Sequence, residues 1–135
     1  MIVVDASVVA TALIDDNTDG RLARDRIRDE SLSAPELIDL EVLSVIRRLS
    51  AAGQVTQVRA AQAVMDLRDL NLDRAPHRPL LARCWELRHN LSPYDAAYVA
   101  LAEAFDTVLL TADTRLAAAP GTACTIELVV TPGGQ

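Results

Sequence analysis

Short apolar runs that give way to helical periodicity set the strongest limit on how this chain can fold. Ile2-Val3-Val4 reads as a strand, and directly after Asp5 the segment Ala6 to Ile14 carries the apolar spacing of a helix. The change of period recurs: Ser31 to Ala34, Asn71 to Ala75, Val108 to Leu110 and Cys124 to Val130 read as further strands. Between them, a charged helix takes its apolar edge from Leu22, Ala23 and Ile27. A long helix is expected to start at Pro35 and run to about Ala52, where Gly53 stops it. Thr56 to Leu70, Arg78 to Asn90, Pro93 to Phe105 and the short stretch Asp113 to Ala119 complete the helices. Short apolar strands alternating with helices predict an α/β fold whose central parallel β-sheet is covered on both faces. Ligands of such sheets bind beyond the carboxyl ends of the strands, which is where Asp5 and Asp113 fall. Residues 1–130 are expected to form one domain and residues 131–135 a loose tail.

A chain of 135 residues should bury roughly two thirds of its unfolded surface in a single core. A net charge of −6 argues against holding nucleic acid by a broad basic surface, so a polyanionic substrate needs local help. Arginine can give it, because all 13 basic residues are Arg and the guanidinium grips phosphate or carboxylate with two donors. Aromatics, at 3%, are too few for a sheet that stacks bases on exposed rings. Cys84 and Cys124 have no neighbouring Cys or paired His and read as small buried hydrophobes in a reducing cytoplasm. The apolar stretch Ile2 to Ile14 is interrupted by Asp5 and has no basic leader, so neither a signal peptide nor a membrane span is expected.

Four acids, Asp5, Glu41, Asp95 and Asp113, stand where a strand gives way to a helix or on a helix with an apolar face. Carboxylates gathered by folding are the usual ligands of hard cations such as Mg²⁺ and Mn²⁺. Each has a plainer reading. Asp5 and Asp113 can cap the helices that follow, with Thr111 a rival cap for the second, and Asp95 can close a capping box with Ser92. Glu41, beside Leu37, Ile38 and Val45, needs a partner at the margin of its apolar stripe, and Arg48 two turns on is one candidate. Glu36 and Asp39 point to the polar side, where solvation explains them. His77 and His89 lack metal-ligand spacing and read as surface or loop residues, and no glycine-rich phosphate loop is present.

Taken in order, Ile2-Val-Val-Asp5-Ala-Ser7, Pro35-Glu-Leu-Ile-Asp-Leu-Glu41-Val with Arg47-Arg48, Ser92-Pro-Tyr-Asp95-Ala-Ala-Tyr-Val-Ala-Leu-Ala-Glu103 and Leu110-Thr-Ala-Asp113-Thr-Arg-Leu116 resemble the PIN-domain family, and within it the VapC-type toxins of toxin-antitoxin pairs. The resemblance spans essentially the whole chain. It implies a single PIN-like domain and a Mg²⁺- or Mn²⁺-dependent endoribonuclease that leaves 5′-phosphate and 3′-hydroxyl ends. On that likeness Asp5, Glu41, Asp95 and Asp113 fall on the family's acidic metal-binding and catalytic positions, and Ser7 and Thr111 on hydroxyl positions that support them. Arg115, Arg47 and Arg48 become candidates for gripping the RNA backbone. A small VapB-like antitoxin and a homodimer are the implied partners, with no membrane. Ser44 stands where many relatives carry Asn, and Arg115 where some carry a further acid; both departures bear on a second metal ion.

Receiver-type signalling domains and aspartate-nucleophile phosphatases also gather acids at strand ends, but usually set a Lys beside the phosphoryl group. This chain has none. A catalytically inert PIN-like scaffold that only binds a partner is the remaining alternative, disfavoured by the intact acidic set.

Overall fold

A computed structural model describes residues 1–129. The expected tail at 131–135 and the end of the last strand, Val130, lie outside the described residues. The chain runs β1 (Ile2–Val4), α1 (Ala6–Ile14), α2 (Thr18–Ile27), β2 (Leu32–Pro35), α3 (Ile38–Ala51), α4 (Gln57–Asp69), β3 (Leu72–Ala75), a 3₁₀ turn (Arg78–Leu80), α5 (Leu81–Glu86), α6 (Pro93–Ala104), β4 (Leu109–Thr111), α7 (Thr114–Ala117) and β5 (Ile126–Leu128). All five strands lie parallel in one sheet of order β3-β2-β1-β4-β5. Every residue of β1, β2 and β4 is buried, so both faces of the sheet's centre are covered.

The strand order creates the site. From β1 the chain moves outward to β2 and β3, then returns to lay β4 and β5 on the other side. Connections therefore leave β1 and β4 in opposite directions, opening a crevice at their carboxyl ends. Val3 pairs with Leu109 and Val4 with Leu110, and the Asp5 amide donates to the Leu110 carbonyl at 3.1 Å. That register places the residues after Val4 beside those after Leu110.

Helix α6 packs on β1, β2 and β4, and everything from Ala96 to Ala102 on it is buried. A helix apolar all round belongs in an interior, and its four alanines among those seven residues allow close approach to the strands. On α1, Gly20 of the following helix sits where an added Cβ would lie 1.8 Å from the Asp15 carbonyl oxygen, so no larger residue fits that corner. Gly53, at φ 73°, ends α3 as expected.

Three boundaries differ from the sequence reading. Pro35 ends β2 instead of opening the long helix: it pairs with Ala75, and the Glu36 amide extends the ladder to the Ala75 carbonyl at 2.9 Å. Proline suits a strand end as well as a first helical turn, and pairing with β3 decides between them. The helix expected from Arg78 to Asn90 divides into the 3₁₀ turn and the short α5, since Pro79 has no amide to donate and Leu80 bonds back to His77 at 2.8 Å. Cys124 precedes the last strand, which is confined to Ile126–Leu128; both Cys84 and Cys124 are half-buried, with burial pushing their thiols up. Asp39, expected to be simply solvated, pairs with Arg74 at 3.0 Å, and that guanidinium also binds the carbonyls of Leu67, Leu70 and Leu72. Among the described residues no helix is long and apolar enough to cross a membrane.

Candidate active site

Asp5 closes the end of β1 and caps α1, its Oδ1 accepting from the Val8 amide at 3.1 Å. Capping is only part of what this carboxylate does. The Ser7 hydroxyl donates to the same oxygen at 2.6 Å, and the Thr111 hydroxyl, from the end of β4, donates to Oδ2. Ser7 Oγ in turn accepts from the Ala112 amide at 2.9 Å, and Thr111 Oγ1 from the Asp113 amide at 3.0 Å. Two hydroxyls thus stitch the ends of β1 and β4 around one acid that is only 5% exposed. Burial raises the Asp5 pKa above the ordinary aspartate range; the Ser7, Thr111 and Val8 bonds oppose the rise, and the nearby charge of Asp95 adds to it.

Glu41 lies in the first turn of α3, partly buried. Its partner is Tyr98, whose buried hydroxyl donates to Oε1 at 2.6 Å from α6. Arg48, on the same helix, makes no ion pair with it among the described residues, so the proposed Glu41–Arg48 pair does not form. Glu41 is also raised, first by burial and further by the charges of Asp95 and Asp5, against the Tyr98 bond. The Tyr98 phenol is pushed well up by burial and by donating to a carboxylate. Sequence reasoning missed Tyr98. The available signal was its place one turn after Asp95, on the same face of an otherwise apolar helix.

Asp95 is in the first turn of α6, but the cap there is the Ser92 side chain, which accepts from the Asp95 amide at 3.2 Å. The Asp95 carboxylate instead binds Arg115 at 3.0 Å. Asp113 caps α7 through the Arg115 amide at 2.9 Å, and its other oxygen meets the Arg115 guanidinium at 3.2 Å. Arg115, a candidate for gripping the RNA backbone, therefore bridges two of the four acids. Arg47 and Arg48 are exposed on α3 and make no ion pair among the described residues.

Asp5, Glu41 and Asp95 lie close enough for their charges to act on one another, and Thr111 and Arg115 join Asp113 to the group. As the side chains stand, no three Asp, Glu, His or Cys among the described residues are grouped tightly enough to hold one ion. The donor chemistry nevertheless fits a hard cation. Asp5 and Glu41 receive only neutral donors from the protein, although buried carboxylates beside another acid call for positive charge. Oxygen ligands of that kind suit Mg²⁺ or Mn²⁺.

Removing the Tyr98 hydroxyl gives a prediction about the site's protonation. In Tyr98→Phe, Glu41 loses its one described protein donor, and its pKa should climb further. The acid limb of the pH–rate profile should move to higher pH by roughly 0.7, as for loss of a hydrogen bond worth ~1 kcal/mol. An unmoved limb in a folded variant would show that Tyr98 does not act through Glu41.

Residues 2–121 match the PIN domain. Ribonuclease VapC1 of Mycobacterium tuberculosis is 43% identical over 128 residues, covering 94% of this chain and 96% of the relative. Ribonuclease VapC9 of the same organism is 43% identical over 129 residues, covering 96% and 98%. Among solved structures, the sarcin-ricin loop cleaving toxin VapC20 of M. tuberculosis superposes with a TM-score of 0.69 at 18% identity, covering 98% of this chain and all of that one. With the PIN domain matched over most of its length and 43% identity to ribonucleases VapC1 and VapC9, this chain belongs to the PIN-domain family, among the VapC ribonucleases.

Proposed function

We propose that the chain is a Mg²⁺-dependent endoribonuclease, with Mn²⁺ as a working substitute, and the toxin of a cytoplasmic toxin-antitoxin pair. The observation that carries the reading is the convergence of Asp5, Glu41, Asp95 and Asp113 from four segments at the crevice between β1 and β4, with Asp5 buried under neutral donors alone. Identity to named ribonucleases across nearly the full length of both chains supports RNA as the substrate.

These four acids would hold the ion. When bound, it supplies Lewis-acid polarisation of the scissile phosphate and a lowered pKa for coordinated water. The chain's own side chains prepare for this. Ser7 and Thr111 hold the Asp5 carboxylate in one orientation, and Tyr98 does the same for Glu41. Arg115 lends positive charge to Asp95 and Asp113 and, 68% exposed, can turn from them to a phosphate. Arg47 and Arg48, exposed on α3, are further candidates for gripping the RNA backbone. A VapB-like antitoxin is the proposed inhibitor; a solved neighbour is VapBC2 of Rickettsia felis bound to promoter DNA, with a TM-score of 0.66 at 12% identity over 95% of this chain and 98% of that one. Leu40, Val58 and Met65, exposed on α3 and α4, are the apolar candidates for a homodimer contact.

Purified protein should cut RNA with Mg²⁺ or Mn²⁺, stop in EDTA and resume on adding back metal. Undiminished cutting in EDTA, with contaminating nuclease excluded, would remove the metal from the mechanism. Expression alone should arrest growth and co-expression of the neighbouring small gene relieve it; equal toxicity in both cases would sink the antitoxin pairing. Sedimentation as a monomer at micromolar concentration would remove the homodimer.

A further inference from the structure

We propose that the groove between α5 and the start of α6 is a nucleobase subsite for single-stranded RNA, with Trp85 as its stacking platform and Arg88 as its cationic partner. The inference rests on the ribonuclease reading and deepens it by locating where substrate is held beside the acids.

Trp85 is the chain's only tryptophan and is 67% exposed. Tryptophan left in water in an otherwise aromatic-poor protein is a feature to be explained, because its area is the kind that folding usually buries. Arg88 lies with its guanidinium carbon 4.4 Å from the centre of the indole ring, and it donates to the Trp85 carbonyl at 2.9 Å. Like Arg21, Arg24, Arg47, Arg48 and Arg78 it makes no ion pair among the described residues, and it has an aromatic ring beneath it. The pair thus presents an exposed indole with a cation, paired with no carboxylate among the described residues, stacked over it. Bases stack on both kinds of surface, whatever their sequence.

The groove has a volume of about 510 Å³, in the range of small-ligand clefts (~300–1,000 Å³). Leu81, Trp85, His89 and Pro93 are among its walls, and none of its lining residues is Asp or Glu. On a chain of net charge −6 that absence matters, because a polyanion approaching the acids needs a bordering surface that does not repel it. The groove borders the start of α6. Its wall ends at Ser92 and Pro93, the cap and first residue of α6, and Tyr94, 63% exposed, comes next before Asp95. A strand of RNA with one base on Trp85 would be held next to the helix turn that carries a proposed metal ligand. The shortage of aromatics excludes a stacking sheet but not one platform on a helix.

Because Trp85 is the sole tryptophan, intrinsic fluorescence reports on it alone. Titrating a single-stranded RNA oligonucleotide into the protein in EDTA, where cutting is silent, should quench this emission saturably. Trp85→Ala should weaken binding of labelled RNA about 5- to 150-fold, Trp85→Phe should retain most of it, and Arg88→Ala should weaken binding and flatten its salt dependence. In cleavage assays with Mg²⁺, the Trp85→Ala loss should appear mainly in KM. As Trp85 is exposed, the melting temperature should not change. Emission unmoved at saturating RNA, or changed by diluting the protein or adding antitoxin but not by RNA, would overturn the proposal and give the groove to a protein partner. The two readings fail separately: RNA that is cut while Trp85 stays silent sinks the subsite alone, and RNA that quenches Trp85 but is not cut with any divalent metal sinks the nuclease.

Discussion

Asp5→Asn should lower RNA cleavage about 1,000-fold or more while leaving the metal-free protein folded and melting no lower than wild type. Metal-assisted charge stabilisation is worth several kcal/mol, at 1.36 kcal/mol per tenfold in rate. Asparagine keeps the shape and can still accept from Val8 and Ser7. The Thr111 hydroxyl, which already accepts from the Asp113 amide, can accept from the new amide as well. What disappears is a buried negative charge. Because burial raises the folded-state pKa of Asp5, the folded protein binds more protons there than the unfolded chain does. Stability from this group is therefore present below the ordinary value of 3.8 and is lost as pH rises through the folded value. In EDTA, the fall in melting temperature with rising pH should be shallower in Asp5→Asn than in wild type, and added Mn²⁺ should stabilise the variant less. Cleavage within tenfold of wild type would remove Asp5 from the chemistry. Reduced cleavage with an unchanged pH slope would mean the loss came from misfolding or displacement, not from the charge.

Asp95→Asn should cost at least about 100-fold in cleavage and weaken metal binding, although the same change leaves the helix cap intact. Loss of a residue that merely supports metal ligands typically costs 10–100-fold, so a ligand itself should cost no less. The Ser92 cap uses the Asp95 amide, which the substitution does not touch, and the carboxylate makes its contact with Arg115 instead. Arg115 keeps Asp113 as a partner. Removing one of several crowded charges should leave the metal-free protein as stable as before, or more so. Melting with and without Mn²⁺ beside a cleavage assay separates the two roles: an active variant with an unchanged Mn²⁺ response would falsify the assignment of Asp95 to the metal.

Much of the fold was readable because its signals act within a few residues. The strand Ile2–Val4, the cap at Asp5, the stop at Gly53 and the Pro93 start of α6 depend on apolar period, side-chain capping and backbone freedom, which are properties of neighbours in the chain. Boundaries failed where a distant element chose. Pro35 belongs to a strand because β3 pairs with it, and α3 begins under the His77 ring, whose Nε2 accepts from the Leu37 amide at 3.0 Å across 40 residues of sequence.

The candidate site divides in the same way. Sequence by itself determined which groups were available: four acids at strand ends and helix starts, the hydroxyls of Ser7 and Thr111, arginine as the only strong cation, and an α/β fold to carry them. Only the tertiary structure decided which of them meet. Thr111 reaches Asp5 over 106 residues because β4 lies beside β1, Tyr98 and not Arg48 takes Glu41, and Arg115 settles between Asp95 and Asp113. Parallel strands joined through helices leave their neighbours to be set by sheet order, so these partnerships follow from the topology and burial of the whole domain and from no local pattern of residues.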